Sequence, residues 1–330
     1  MSRFFITGVN GFIGSHIAER LKNDGHEVIG LVRKTSDLSL IKHMDLQLHY
    51  GDVAQKDSLL KGLAGADIVI HVAGFASDWG SLETFEKINV TGTKNIAYAA
   101  AEQNVKRLVH ISTVALLGFP NKRNVDETAP LPKTIFPYNE SKKDAEIWLF
   151  EFDKKTDMEI TAVRPGNVFG PRDHTFIDKY LEAIESGKAA YIDGGRHWTC
   201  PVYIENLVDA VVSACFTPEA AGEAFNLTDG LEIDWRTFTE KFADALNAKR
   251  PKLSVPFYPA YFVSFLMEKI YKLFRAKNAP LLTRYRISNG GRDYHFSIEK
   301  ARRLLKHEPK VDFDTAVQRT VEWYIKEVRK

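Results

Sequence analysis

The chain has 330 residues, of which 44% are hydrophobic and 27% charged, and its formal net charge is +2. This length corresponds to roughly two domains and is enough to bury a full core without disulfides or metal. The near-neutral charge argues against a dedicated nucleic-acid-binding protein, which would need a basic stripe, and no apolar run has the length of a transmembrane helix.

The two cysteines, Cys200 and Cys215, lie in no C-x-x-C or Cys/His cluster. The sequence therefore predicts free buried thiols and no metal site. Reduced thiols are typical of the cytoplasm. Arg3 is followed directly by a strand-like run and then by glycines, which is unlike a signal peptide. We expect a cytoplasmic protein.

The first half of the chain alternates strand-like and helix-like segments. Helical spacing is most evident over 82–104 and 138–155. Strands alternating with helices at this spacing imply a parallel sheet with helices on both faces, whose ligands lie at the carboxyl ends of the strands. The predicted strands are 3–7, 26–32, 46–50, 67–72, 107–111 and 160–163.

A glycine-rich turn follows the first strand and opens a helix. Gly8 allows a tight turn, Gly11 lets the backbone approach a pyrophosphate, and Gly14 lets the helix pack close to the strand. The helix N-terminus offers free N–H groups to the phosphates. This context favours a dinucleotide site over a plain turn. The predicted contacts are Gly8, Asn10, Gly11, Phe12, Ile13 and Gly14.

The second strand ends in Val32-Arg33-Lys34, with Ser36 close by. An NAD-selective site usually has an Asp or Glu here, which binds the ribose hydroxyls, and this chain has none. A guanidinium suits a 2′-phosphate, so Arg33 favours NADP over NAD. The alternative is that Arg33 only stacks on adenine or faces solvent.

Two further strand ends carry candidate cofactor contacts. After the third strand, Asp52 could accept the adenine amino group with Val53 beside the ring, or Asp52 could cap the next helix. After the fourth strand, the small residues Ala73 and Gly74 would let a cofactor pass close to the backbone.

Tyr138 and Lys142 stand four residues apart within YNESK. On a helix these positions share a face, so the ammonium can lie near the phenol. Tyrosine, with an ordinary pKa of ~10, is a poor catalyst at neutral pH. A nearby Lys⁺ and an oxidised nicotinamide would lower the pKa of Tyr138 and allow proton transfer to or from a substrate oxygen. By itself the pair also fits an ordinary helix face.

Two other strand ends complete the predicted site. Ser112 and Thr113 follow the fifth strand, where a hydroxyl could hydrogen-bond the same substrate oxygen or merely cap its backbone. Pro165, Asn167 and Val168 lie in a glycine-punctuated loop after the sixth strand, at the same edge of the sheet. That loop could also be a simple turn.

Beyond Pro171 glycines and prolines break the pattern into short pieces. We predict a dinucleotide-binding domain over 1–170, to which 202–228 returns with a strand at 225–227. Most of 171–330 is expected to form a smaller substrate-binding lobe. The predicted fold is α/β, a doubly wound parallel sheet of the Rossmann type with a C-terminal substrate lobe.

These motifs resemble the extended short-chain dehydrogenase/reductase family over nearly the whole chain. TGVNGFIG, HVAG, ISTVALLG, YNESK and RPGNVFGPR occur in the family's order, and PVYIENLVDA fits a later motif. The resemblance implies that Tyr138 is the catalytic acid/base, that Lys142 lowers its pKa and holds the nicotinamide ribose, and that Thr113 orients the substrate. It also matches Asn89 to the asparagine of the NVTGT pattern and places 165–168 along the nicotinamide.

One position departs from the sugar-nucleotide epimerases and dehydratases, which usually have a Tyr where Leu117 stands. AGFASDWGSLETF, VRKTSD and DYHFSIEKARRLLKHEPKVDF are instead similar to the 3β-hydroxysteroid dehydrogenase and dihydroflavonol-reductase-like branches. An aromatic pocket wall would agree with such a substrate, although aromatic side chains more often form core. The residues expected in this wall are Phe75, Trp79, Phe119, Phe169, Trp198 and Tyr203.

The expected function is therefore NAD(P)-dependent hydride transfer to or from an apolar secondary alcohol or ketone, of a steroid, flavonol or keto-lipid type. One alternative is a nucleotide-sugar epimerase or dehydratase. Another is a non-catalytic NAD(P) sensor, which the presence of both Tyr138 and Lys142 disfavours. Phosphate-binding candidates for the epimerase are Arg172, Arg196, Arg284 and Arg292.

Two features concern partners. The segment 257–277 has a dense apolar face with cations toward one end, which suits an interfacial helix in peripheral contact with a membrane or a helix packed on the substrate lobe. The helices over 82–104 and 138–155 carry exposed-looking Phe85, Trp148 and Phe152. In the resembled family these helices pair across a two-fold axis, so we expect a homodimer.

Overall fold

The structure is a computed structural model, and it describes residues 1–329. Within this range the strands are β1 (Arg3–Thr7), β2 (Glu27–Val32), β3 (Gln47–Tyr50), β4 (Ile68–His71), β5 (Arg107–Ile111), β6 (Lys122–Val125), β7 (Glu159–Pro165), β8 (Asn167–Phe169), β9 (Tyr191–Ile192), β10 (Pro201–Tyr203), β11 (Ala224–Leu227), β12 (Ser254–Val255) and β13 (Tyr294–Phe296).

The helices lie between the strands and, in the last third of the chain, follow one another. In the same range they are α1 (Phe12–Asn23), α2 (Asp57–Leu63), α3 (Leu82–Phe85), α4 (Gly92–Glu102), α5 (Pro137–Asp153), α6 (Ile177–Glu185), α7 (Ile204–Phe216), α8 (Trp235–Ala245), α9 (Phe257–Leu273), α10 (Arg284–Gly290), α11 (Glu299–Leu305) and α12 (Phe313–Trp323).

Seven strands form one parallel sheet in the order β11-β7-β5-β4-β1-β2-β3. Ile6 of β1 pairs with Gly30 on one side and with Ile70 on the other. The strand order reverses between β1 and β4, so the crevice of the sheet lies at the carboxyl end of β1. The predicted doubly wound α/β sheet is confirmed, and β11 returns to it beside β7 as expected.

The main strands are apolar throughout because helices cover both faces of the sheet. Successive side chains alternate between the faces. Phe4 and Ile6 therefore join one core cluster, and Phe5 joins another on the opposite face. The first cluster extends to Tyr324, so the C-terminal part of the chain packs against the same core. The division into two lobes at residue 170 stays a prediction.

The helix predicted over 82–104 has an irregular centre. A π-helical turn over Glu86–Thr91 joins α3 to α4. Phe85, expected to be exposed there, is buried, which corrects the prediction. It packs on Phe75, with 4.9 Å between ring centroids, because the loop after β4 folds over this end of the helix.

None of the helices within residues 1–329 has both the length and the apolar character needed to span a bilayer.

Candidate active site

The glycine turn is compressed between β1 and β4. Gly8 has φ +67°, and a Cβ there would lie 2.8 Å from the backbone nitrogen of Ala73. A Cβ on Gly14 would overlap the carbonyl oxygen of Gly8. Side chains at these positions would force α1 away from the sheet. The turn therefore places Gly8, Gly14 and Ala73 together at the crevice.

The N-terminus of α1 has backbone donors available for an anion. Gly11 is the N-cap residue and supplies no side-chain cap, and the first turn has no acidic residue. The N–H groups at Phe12 and Ile13 therefore keep the hydrogen-bonding capacity that helix starts offer to phosphate. Asn10 Nδ2 donates to the Asp37 carbonyl oxygen at 3.0 Å and fixes one side of the turn. The turn fits the pyrophosphate of a dinucleotide.

The end of β2 lies next to this turn, and the end of β3 lies one strand further out. Arg33 is exposed, and its backbone N–H donates to Ser36 Oγ at 3.0 Å. Asp52 Oδ1 accepts the Ala54 N–H at 2.9 Å within a local turn, whereas Lys56 is the N-cap residue of α2, so Asp52 does not cap the next helix. Val53 is buried. Contacts of Arg33, Asp52 and Val53 with a cofactor remain predictions.

Tyr138 lies in the first turn of α5, which begins at Pro137. Thr113 follows β5 and starts a 3₁₀ turn, where its Oγ1 accepts the Ala115 N–H at 3.1 Å. Burial raises the pKa of the Tyr138 phenol above its ordinary value, and the Thr113 hydroxyl opposes this rise. The Tyr/Lys pairing predicted a lowered pKa. The free-energy cost of desolvating a phenolate at this position is the larger effect.

Lys142 is buried beneath the site. Its Nζ donates to the Ile111 carbonyl oxygen at 2.6 Å and lies 3.2 Å from His110 Nε2. Burial lowers the pKa of Lys142 to about 8, against a raising contribution from Glu146. Burial, and then Lys142, hold the pKa of His110 well below 6.5, so the imidazole is neutral and Nε2 can accept a hydrogen bond from the ammonium.

A buried polar network fixes the helices next to Lys142. His71 Nδ1 lies 2.7 Å from Thr7 Oγ1, and its Nε2 lies 3.0 Å from Thr93 Oγ1. Asn89, in the π-helical turn, donates from Nδ2 to Ser141 Oγ at 2.9 Å. The bond from Asn89 to Ser141 joins the π-helical turn to α5, and the contact of His71 with Thr93 joins β4 to α4. Asn89 thus orients the helix that carries the Tyr/Lys pair.

An aromatic cluster, which we call the aromatic wall, lies beside Tyr138. The ring centroid of Phe119 is 5.4 Å from Phe136, 5.2 Å from Tyr285 and 5.1 Å from Tyr294. Tyr285 in turn is 6.4 Å from Tyr138. The sequence predicted Phe119 alone among these wall residues. Phe136 could have been predicted as a wall residue, because it stands two residues before Tyr138 in the sequence. Tyr285 and Tyr294 could not, because they lie in the part of the chain without clear periodicity.

Other residues expected in a pocket wall lie elsewhere. Phe169 and Tyr203 are fully buried in the core, which corrects that prediction. Phe169 packs on Phe238 and Phe242 because β8 directs it beneath α8, with centroid distances of 5.7 and 5.8 Å. Trp198 packs on His295.

The strand ends on the other side of the crevice carry the remaining predicted contacts. Ser112 Oγ is buried without a hydrogen-bond partner among the described residues. Asn167 Nδ2 donates to Thr199 Oγ1 at 3.1 Å, so its amide is held within the protein. Pro165 ends β7, and Val168 lies in β8. Their contacts with a nicotinamide remain predictions.

Across residues 1–329 no group of three or more His, Cys, Asp or Glu side chains is placed to hold a metal ion. The fold is that of a doubly wound, dinucleotide-binding type of protein, as the sequence predicted.

Comparison with known proteins identifies the family. A profile of the NAD dependent epimerase/dehydratase family matches residues 4–228. The chain belongs to this family.

Two curated relatives match nearly the full chain. One is a 4-hydroxy-2-methyl-3-oxo-4-farnesyl-3,4-dihydroquinoline-1-oxide ketoreductase of Stigmatella aurantiaca, to which the chain is 29% identical over 313 residues. The alignment covers 94% of this chain and 92% of that protein. The other is the decarboxylating sterol-4-alpha-carboxylate 3-dehydrogenase of Mus musculus, to which the chain is 28% identical over 328 residues. That alignment covers 96% of this chain and 89% of that protein.

Solved structures share the fold. The crystal structure of gox2253 superposes with a TM-score of 0.85 at 28% identity, covering 100% of this chain and 99% of that one. The UDP-glucose 4-epimerase of Thermotoga maritima gives a TM-score of 0.80 at 21% identity, covering 98% and 99%. The likeness to the epimerase shows the fold alone.

Proposed function

We propose that this protein reduces a ketone of an apolar substrate, or oxidises the matching secondary alcohol, with NADP as the cofactor. The main observation that supports this proposal is the aromatic wall beside Tyr138. An apolar substrate skeleton gains free energy when it leaves water for such a surface, and aromatic side chains offer large contact areas for it. Steroid, flavonol and keto-lipid skeletons all have the required character.

The nicotinamide, when bound, gives or takes the hydride at the substrate carbon. Tyr138 donates its phenolic proton to the carbonyl oxygen during reduction and takes the proton of the hydroxyl during oxidation. Thr113 Oγ1 hydrogen-bonds the same oxygen and fixes its direction. Thr113 is buried and Tyr138 half-buried, which limits the access of competing water to the substrate oxygen.

Lys142 acts on Tyr138 through its charge. A pKa of about 8 leaves Lys142 mainly protonated at neutral pH. A buried ammonium on the same helix face favours phenolate at Tyr138 when the alcohol is oxidised. The Ile111 carbonyl oxygen and His110 Nε2 hold the ammonium in place.

The names of several relatives agree with a carbonyl or carbinol substrate on an apolar skeleton. Besides the ketoreductase and the sterol-carboxylate dehydrogenase, a 2-alkyl-3-oxoalkanoate reductase of Stenotrophomonas maltophilia is 26% identical over 325 residues. These substrates belong to those proteins. They support testing ketones of this kind first.

The internal contacts of three arginines count against a nucleotide-sugar substrate. Arg172 donates to Glu19 at 2.8 Å, and Arg284 pairs with Glu268 at 2.7 Å. The Arg292 guanidinium lies 4.2 Å from the centroid of the Phe257 ring. Of the four candidate phosphate ligands, only Arg196 is left exposed. A diphosphate would have to displace these partners.

A substrate panel tests the proposed reaction. NADPH oxidation is followed at its absorbance with a 3-ketosteroid, a long-chain 3-oxo ester and a flavanone, with wild type and Phe119→Asn. Conversion of UDP-glucose in the presence of NAD is followed by chromatography of the sugar nucleotides, because epimerisation consumes no cofactor. We expect turnover of at least one apolar ketone, and a higher KM for it in Phe119→Asn because the wall becomes polar. Ile325→Asn, at an exposed position on another helix, is the control. Conversion of UDP-glucose without ketone turnover would contradict the proposal and support the epimerase.

Arg33 tests the cofactor preference. We expect wild type to bind NADPH more tightly than NADH, and Arg33→Asp to weaken NADPH binding by about 10- to 100-fold, because a charge-assisted contact becomes a like-charge repulsion. Cofactor fluorescence titration gives both affinities, and exposed Arg303→Asp is the matched control. Equal NADPH affinities of wild type and Arg33→Asp would show that Arg33 faces solvent and does not contact the cofactor.

A further inference from the structure

Helix α9 exposes a continuous apolar face. Its positions recur every three or four residues, with adjacent pairs at 262/263 and 273/274, which places them on one side of the helix. The exposed fractions reach 79% at Leu273 and 77% at Phe274, far above what a packed apolar side chain has. The face comprises Tyr258, Phe262, Val263, Leu266, Ile270, Leu273 and Phe274.

The opposite side of α9 holds the helix to the protein. Phe257, Ala260, Ser264 and Glu268 are buried there. Glu268 pairs with Arg284 at 2.7 Å and thereby ties α9 to α10. The exposed apolar face therefore has no part in holding α9 in the fold, and its exposure is left unexplained by packing.

The charge of this region differs sharply from that of the rest of the chain. Residues 251–292 contain eight Lys and Arg residues and one carboxylate, Glu268, whereas the remaining residues contain five more carboxylates than cations. Four exposed cations at the end of α9 and just beyond it have no carboxylate within salt-bridge distance among residues 1–329. These are Lys269, Lys272, Arg275 and Lys277.

The apolar face lies close to the site already described. Trp79, in the loop after β4, donates from Nε1 to the Ala276 carbonyl oxygen at 3.1 Å. Asp78 accepts from Thr283 Oγ1 at 2.6 Å, at the residue that caps α10. Tyr285 of the aromatic wall lies in that helix. The end of α9 thus belongs to the same side of the molecule as the mouth of the site.

We propose that α9 and the segment 274–281 dock onto a lipid bilayer that contains anionic headgroups. The apolar face would enter the boundary between headgroups and acyl chains, while the four unpaired cations contact lipid phosphates. A second copy of the chain fits less well, because pairing two such faces would bring eight unpaired cations together. The bilayer alone supplies both the apolar phase and the negative charge.

Vesicle flotation tests the proposal with the full chain. We expect wild type to float with phosphatidylcholine vesicles containing a quarter phosphatidylglycerol, and much less with phosphatidylcholine alone. Phe262→Asp should lower the bound fraction about tenfold or more, because a charge replaces an inserted aromatic ring. Ile325→Asp, at an exposed apolar position on another helix, is the control and should float like wild type. Changing Lys269 and Lys272 to Gln should weaken the preference for anionic vesicles, because two of the four cations are lost.

Thermal unfolding and NADPH binding establish that each variant is folded. Three results would overturn the proposal. One is the absence of wild type from the floated fraction at low salt. Another is equal binding by wild type and Phe262→Asp. The third is self-association that Phe262→Asp abolishes without any vesicle binding, which would assign the face to a second copy of the chain.

Discussion

Lys142 is buried and Tyr138 half-buried, and desolvation disfavours the charged form of each group relative to its state in water. Burial lowers the pKa of Lys142 to about 8 and raises the pKa of Tyr138. His110, also neutral, supplies one of the two acceptors for the Lys142 ammonium. A change in the charge close to Lys142 or Tyr138 therefore alters the protonation state of these groups more readily than it would alter that of a surface residue.

The Lys142 pKa makes stability depend on pH. Its folded value of about 8 lies below its ordinary value of 10.5, so the unfolded chain binds more protons between these values. The contribution of Lys142 to the free energy of unfolding should therefore rise with pH across this window, by roughly 3 kcal/mol at most. Urea unfolding of wild type and Lys142→Met from pH 7.5 to pH 10 measures it. The exposed Lys61→Met should track wild type, and a constant difference between wild type and Lys142→Met would refute the buried position.

Tyr138→Phe removes the proposed acid/base without changing the shape of the side chain. Turnover of the ketone should fall by about 10²- to 10⁴-fold, the usual contribution of general acid–base catalysis. NADPH affinity should stay within about threefold, because the phenol is not needed to hold the pyrophosphate. Steady-state kinetics and fluorescence titration give the two numbers. Tyr98→Phe is the control, and full activity in Tyr138→Phe would exclude the assigned role.

At the scale of elements, the glycine turn sets how close α1 approaches β1. A Cβ at Gly14 would overlap backbone atoms of Gly8, whereas at Gly74 its nearest neighbour would be the Asn89 side-chain oxygen at 3.4 Å. Gly14→Ala should lower the free energy of unfolding by about 1–3 kcal/mol, the range of overpacked cores. Gly74→Ala should leave it nearly unchanged. Urea unfolding compares the two, and equal stabilities would show that α1 is not tightly packed on the strand.

The strands were predictable because a parallel sheet covered on both faces requires continuous apolar runs. The Gly8 turn and the Tyr138/Lys142 pair were predictable because their spacing is local. The π-helical turn around Asn89 left no such mark, since its residues continue an ordinary helical pattern. Tyr285 and Tyr294 meet Phe119 only through tertiary folding, which sequence spacing does not report.

At the scale of the whole molecule, α4 and α5 present a second apolar surface. Tyr98 and Ile147 are 45% and 46% exposed. The Trp148 ring stacks on Phe152 at 5.1 Å and meets Tyr98 at 5.2 Å. A preformed aromatic patch of this kind suits a two-fold interface, whose surface must be complementary to itself.

We predict a homodimer through this patch. Ile147→Asp should yield monomers, because the charge would be buried in the interface without a partner. Sedimentation equilibrium measures the mass, and Ile325→Asp should remain dimeric. A monomeric wild type, or a dimer that Ile147→Asp leaves intact, would exclude this interface.

Deuteride transfer from NADPH deuterated at both C4 positions to an apolar ketone tests the central claim, that Tyr138 supplies the proton while the bound cofactor supplies the hydride. Mass spectrometry of the alcohol made by wild type should show one deuterium on the carbinol carbon. Tyr138→Phe, still saturated with cofactor, should make almost none. Unlabelled alcohol from wild type, or equal labelling by both proteins, would contradict the account.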